Sequence, residues 1–354
     1  MKPDNRQRQI KQADKGSDHM ENDRRASKAP ASEAKARGRG YGKGLVLGVL
    51  VAIAALIPLF RDSAYILHVL ILVFIYTVAS VSLRTITVSG QFPLAHGAFM
   101  GIGAYLTGMT TKWLGWPPWF TIPSAALVTA AIGMLVGFPF SRLRALYYAM
   151  GSLFFGIGVL RIAYAFGRYT GGYSGLVGVP PLFAGSKVPY YYLFLAMVVF
   201  STAALYRFEF SRIGTNLKAI AQSHLVASSV GINEGFHRIL AVGVGCFFAG
   251  LAGAGYAHYN CVVSPGSFDF MATMWLMMYV LVGGMDSFFG PIIGTFVLIL
   301  IPESLRDLKI YAPFVSAAIL GIVVYLMPKG LAGLFRALML WRRGDDRGEA
   351  SRAA

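Results

Sequence analysis

Residues 207–238 read RFEFSRIGTNLKAIAQSHLVASSVGINEGFHR, a polar stretch held between two long apolar segments, 188–206 and 239–263. Within it, residues 216–230 alternate as a helix does. Leu217, Ile220, Ala221, Leu225 and Ala227 to Val230 hold the small and apolar positions, with Lys218, Gln222, Ser223 and His224 between them, and Gly231 supplies a stop. The pattern predicts one short amphipathic helix with a glycine exit. Its apolar strip is too small to be a domain core, so it needs a further surface, either lipid headgroups or a protein partner.

The apolar flanks fit the whole composition. The 354 residues are 56% hydrophobic and 14% charged, with a mean hydropathy of +0.57; a soluble domain is nearer a quarter charged. This is the composition of an all-α polytopic membrane protein. The formal charge of +16 raises the question of nucleic acid, but the 32 Lys and Arg lie mostly in tails and short loops. Basic residues there mark the cytoplasmic side of a bilayer, so topology accounts for the charge without a nucleic-acid partner. Cys246 and Cys261 fall in or at the end of an apolar segment, without metal or redox spacing, and read as packing residues.

Residues 1–43 carry twelve Lys/Arg against six Asp/Glu and almost no large apolar side chain. That composition predicts a disordered basic cytoplasmic tail, with binding to anionic lipid as its alternative to plain solvation. The membrane body spans 44–334, and 335–354 is a second cytoplasmic tail. Segments 44–60 and 64–83 make an outer hairpin around Arg61-Asp62, and 86–111 is a glycine-rich span that holds Gln91, Pro93 and His96 at membrane depth. KWLGWPPWF (112–120) has the look of an interfacial belt; 117–141 and 145–160 cross next, and the Gly-rich segment 170–181 is too broken to span. In 239–263, Gly245, Ala249, Gly253 and Ala257 stand four apart, a stripe that lets helix backbones meet. Residues 270–302 are interrupted by GGMDSFFGP. Two short crossings around Asp286 keep the basic C-terminal tail on the same side as the 207–238 loop. With 188–206 before the loop and 310–327 as the last crossing, the count is about ten spans, both termini cytoplasmic.

Several blocks resemble one family. Arg212, Ile213, Gly214, Leu217, Ala219 and Ile220, then Gly231-Ile232-Asn233, are similar to the EAA-type coupling loop of ABC-importer permeases, in particular the LivM-type permeases of branched-chain amino-acid importers. Gln91 and the run His96, Gly97, Ala98, Phe99, Gly101, Ile102, Gly103, Ala104, Tyr105 resemble that family's GQ…GHAAF-x-GIGAY signature, and RLRALYYAMGSLFFGIGVLR (142–161) resembles a third block. The chain departs from the pattern at Gln222, Ser223, His224 and Ser228, where acids are usual, and at Ile157, where a Glu is usual. The resemblance covers roughly 44–334.

It implies a multi-pass permease subunit of the inner (plasma) membrane, paired with a second permease subunit, two ATPase subunits that carry the ATP and Mg, and an external substrate-binding protein. The solute would be a branched-chain amino acid or a related small molecule. Arg212, Gly214, Leu217, Ala219, Ile220, Leu225, Ala227 and Gly231 would couple to the ATPase. Gln91, His96, Gly97, Gly101, Gly103 and Tyr105 become candidates for the translocation path, because broken backbone at membrane depth is tolerated where it lines protein or a watery path. Close packing for the glycines, and an interhelical hydrogen bond for His96, are the alternatives. The chain has no P-loop, nucleophile elbow or His-Glu-x-x-His motif, and His68, His96 and His258 lack paired spacing, so it reads as no enzyme and no metal protein. A secondary transporter or channel is the other reading; such carriers normally expose acids within their spans.

Overall fold

The computed structural model describes residues 54–56, 58, 63–143, 145–183, 185–304, 314, 317–318 and 321. The expected basic tails 1–43 and 335–354, most of the 44–60 and 310–327 spans, and Arg144 lie outside these residues. The helical body begins at Ser63.

Eleven α-helices are described in that body: α1 (Ala64–Thr87), α2 (His96–Leu114), α3 (Pro118–Phe140), α4 (Ala145–Ala165), α5 (Gly167–Thr170), α6 (Val188–Glu209), α7 (Arg212–Gln222), α8 (His224–Ser229), α9 (Glu234–Asn260), α10 (Phe270–Gly283) and α11 (Gly290–Ser304). A two-residue antiparallel ladder joins β1 (Leu176–Val177) to β2 (Val262–Val263). Among the described residues six stretches are long and apolar enough to cross a bilayer: α1, α3, Leu146–Ala165, α6, α9 and Pro265–Gly283. The apolar helix Gly290–Glu303 is shorter. The protein is therefore mostly helical and polytopic.

Contacts sort the loops onto two ends of the bundle. At one end, Arg84 on α1 reaches Met285 O at 3.0 Å, and Arg238 on α9 reaches Ser141 O at 3.4 Å. At the other, Lys112 donates to Val177 O at 2.6 Å and Lys187 to Ala64 O at 3.2 Å, beside the β1–β2 ladder. The α10–α11 turn, residues 284–289, thus lies at the same end as α7 and α8. α10 and α11 pack on each other as a hairpin around Asp286.

α9 packs against α1, α2 and α3, and it can do so because its surface is made of small residues. A Cβ on Gly245 would fall 2.6 Å from Ile86 of α1, one on Gly253 would strike the Met100 carbonyl of α2, and one on Gly250 would lie 2.7 Å from Thr129 of α3. Ala249 and Ala257 are fully buried. With no hydrophobic drive between helices in lipid, such close backbone approach is what holds them. Cys246 packs against Gly133 of α3. Cys261 instead caps α9 at φ 57°, and burial pushes its thiol pKa up.

Three boundaries differ from the sequence reading. The 86–111 span is divided: α1 runs on to Thr87, residues 88–95 are non-helical, and α2 starts at His96. α6 continues to Glu209 and α9 starts at Glu234, where Asn233 accepts from Phe236 N at 3.1 Å, so the polar loop shortens. The apolar run could not reveal either extension, because the added turns carry polar residues that find partners in the fold.

Replacing Gly253 by Leu would drive a side chain into the α2 backbone, an overpacking cost of about 1–3 kcal/mol or more. A clearly lower thermal unfolding midpoint of the purified complex is expected; an unchanged midpoint would rule out the α2–α9 contact.

Candidate functional site

The loop between α6 and α9 is built as two helices, not the single one its periodicity predicts. Ser211 caps α7 and Ser223 caps α8, each hydroxyl accepting a backbone N–H three residues on, from Gly214 and Val226. Ser223 is extended, which breaks the helix there. A serine is a strong N-cap, and that was the available signal for the break. The predicted stop is present: Gly231 has φ 81°, Gly231 N donates to Ser228 O at 3.0 Å and Ile232 N to Ala227 O at 3.1 Å, the paired bonds of a Schellman end.

The apolar residues of this unit divide into two sets. Leu217, Ile220 and Ala227 are 1–3% exposed and Gly214 is buried, covered within the chain, where α7 packs on α6 and α9. Ala219 is half-buried, and Arg212 and Gly231 are exposed. Leu225, Val226 and Val230 are 68%, 64% and 71% exposed. The strip read as one partner-facing surface is therefore mostly an internal one, and the apolar surface open to a partner lies on α8.

Beneath α7 lies a buried ion cluster. Arg84 and Glu209 are each almost fully buried and form a bidentate pair, Nη1 to Oε2 and Nη2 to Oε1. Lys218 on α7 reaches Glu209 Oε1 at 2.9 Å from a half-exposed position. Arg84 also stacks over the Phe288 ring at 5.8 Å, and Lys218 over Phe210 at 4.7 Å. One cluster thus ties the ends of α1 and α6, helix α7 and the α10–α11 turn. The turn after α1 joins it: a Cβ on Gly90 would sit 3.5 Å from the Ala221 backbone. Sequence reading passed over Arg84 and Glu209, because each looked like an ordinary span-end charge.

The six candidates for the translocation path are all buried inside this chain. Gln91 lies in the non-helical entry to α2, and its Nε2 has no partner. His96 Nε2 meets Ser82 Oγ at 2.9 Å and Ala79 O at 3.2 Å, while its Nδ1 has no partner. Gly97 N donates to Thr273 Oγ1 at 2.9 Å, Gly101 abuts Phe268 and Gly103 abuts the Gly250 backbone. Tyr105 donates to Val263 O at 3.0 Å. They form a packed seam between α1, α2, α9 and α10, so none of them lines open space in this conformation. His68 and His258 are engaged with Tyr259 and Thr107, and among the described residues no three His, Cys, Asp or Glu are grouped as metal ligands.

A family model described as the branched-chain amino acid transport system / permease component matches residues 65–328. The chain belongs to this permease family. It is similar to the high-affinity branched-chain amino acid transport system permease protein LivM of Salmonella typhimurium and of Escherichia coli K12. Each is 28% identical over 334 residues, covering 86% of this chain and 78% of the relative. It is also similar to LivH of Escherichia coli K12, 32% identical over 143 residues, 40% of this chain and 44% of LivH. No solved structure matches it significantly. The match spans α1 to α11, so the seam and the ion cluster both lie within the family's own region.

Removing one partner of a buried ion pair strands the other, at a cost of about 3–5 kcal/mol, whereas replacing both by apolar residues costs far less. Glu209→Ala should therefore lower the thermal midpoint of this permease sharply, and the double variant Arg84→Met, Glu209→Leu should recover most of the loss. Equal stability of Glu209→Ala and the unsubstituted protein would mean the pair is solvated.

Proposed function

We propose that this chain is one permease subunit of an ABC importer in the inner (plasma) membrane, carrying branched-chain amino acids or a related small solute. A second permease subunit, two ATPase subunits holding ATP and Mg, and an external binding protein complete the assembly. About ten spans with both termini in the cytoplasm fit the basic tails, and the end bearing α7 and α8 is the cytoplasmic one. The observation that carries the proposal is the α7–α8 unit: helices locked to α1, α6 and the α10–α11 turn by charge and packing, with Leu225, Val226 and Val230 left exposed on top. An ATPase groove that covers those side chains gains apolar burial and, through the ion cluster, a rigid connection to the spans.

A buried Leu contributes roughly 1.5–3 kcal/mol, and each 1.4 kcal/mol is about tenfold in complex stability. Leu225→Asp should therefore cut ATPase co-purification and solute uptake by tenfold or more. Its side chain is exposed, so the permease itself stays folded. Gly231→Val should act in the same direction, because a β-branched residue resists φ 81°. Normal co-purification and uptake in both variants would rule out the docking role.

Topology is checked separately. Single cysteines at position 231 and after Arg343 should both resist an impermeant thiol reagent in intact cells. Labelling of the C-terminal site from outside would overturn the proposed span count.

A further inference from the structure

The described chain leaves a cavity of about 600 Å³ between α1, α10, α11 and the 3-10 turn Pro265–Phe268, open on one side. Leu72 and Tyr76 of α1 are in its wall. α1 has 24 residues, about 36 Å at 1.5 Å each, so Tyr76 stands about 17 Å from either end, at mid-depth. The cavity has room for roughly 20 waters at about 30 Å³ apiece, space enough for a small solute.

Two features set it apart from a packing gap. The chain from Cys261 to Asp269 is not α-helical, and α10 begins at Phe270, with Asp269 Oδ1 accepting from Ala272 N at 3.0 Å. Broken backbone at membrane depth is stable where it lines a watery space, and an acid there is costly unless it is used. The wall also has a consistent chemistry. Among the described residues that line it, Asp269 and Glu303 are the charged ones, Tyr76, Trp275 and Tyr279 present aromatic rings, and Lys, Arg and His are absent. Carboxylate and aromatic faces both attract an ammonium group, and Leu72, Leu298 and Ile299 supply apolar surface beside them.

We propose that this cavity is a solute-binding site of the permease, taking a small solute that bears an ammonium group next to an apolar body, with Asp269 as the ammonium partner. The proposal rests on the permease reading above and adds where and how the solute is held. The buried Gln91–Tyr105 seam is then the wall's support and not the site.

The test reads occupancy directly, without ATP or the binding protein. In the purified complex with Cys261→Ser, a Met271→Cys substitution puts a thiol on the cavity wall; Cys246 is buried. Millimolar leucine should slow its labelling several-fold. 4-Methylpentanoate, the same skeleton without the amino group, should not. Asp269→Asn keeps the helix cap yet should weaken leucine protection by about tenfold or more, the loss of one charge-assisted hydrogen bond. Trp275→Ala should weaken it also, and Trp275→Phe should restore it. Absence of protection by leucine, equal protection by 4-methylpentanoate, or unaltered protection in Asp269→Asn would each overturn the site. A leucine uptake that persists without ATP in proteoliposomes would instead overturn the importer reading and leave the cavity result standing.

Discussion

The pairing of Arg84 with Glu209 is the constraint to which the rest of this structure answers. Both side chains are almost fully buried at one end of a membrane bundle, and each would be intolerable there alone. Together they oblige the end of α1 to meet the end of α6. The spare capacity of each then recruits others: the carboxylate takes Lys218 of α7, and the guanidinium takes Met285 O from the α10–α11 turn. Such a cluster contributes little net stability, since desolvation offsets most of its Coulomb gain. What it supplies is register. A surface helix so anchored cannot shift without carrying α1, α6 and the α10–α11 hairpin with it, which is the property a coupling element requires.

The bundle itself closes on a different principle. α9 presents glycine and alanine toward α1, α2 and α3, and backbones approach until glycine meets carbonyl. That closeness leaves little room for side chains. The polar groups of the seam are therefore enclosed: Ser82 meets His96, Thr273 accepts from Gly97 N, and Gln91 is buried. Open volume survives where the helices are short: α10 has 14 residues and α11 has 15, and the non-helical approach to α10 reaches the middle of α1. Packing and open volume thus occupy different faces of the same chain.

Much of this was legible in the residues. Hydropathy and charge fix the membrane class, because no soluble core can absorb so apolar a chain. The glycine spacing in α9, the Gly231 stop and the helix break around Asp286 were each readable, since each depends on local geometry: a helical period, a positive φ, a break between apolar runs. Motif resemblance supplied the family, which the match over 65–328 bears out.

Tertiary structure alone decided the rest. Arg84 and Glu209 are 125 residues apart, and no spacing rule joins two span-end charges. Periodicity marked Leu217, Ile220, Ala227 and Leu225 as apolar without saying what covers them. The fold buries the first three within the chain and leaves Leu225 exposed. The cavity wall is assembled from α1, α10 and α11, so Tyr76, Asp269 and Glu303 acquire a common environment only once the helices pack. A sequence determines which groups must leave water and which backbone turns are allowed; which distant groups satisfy one another is settled by the contacts that folding brings together.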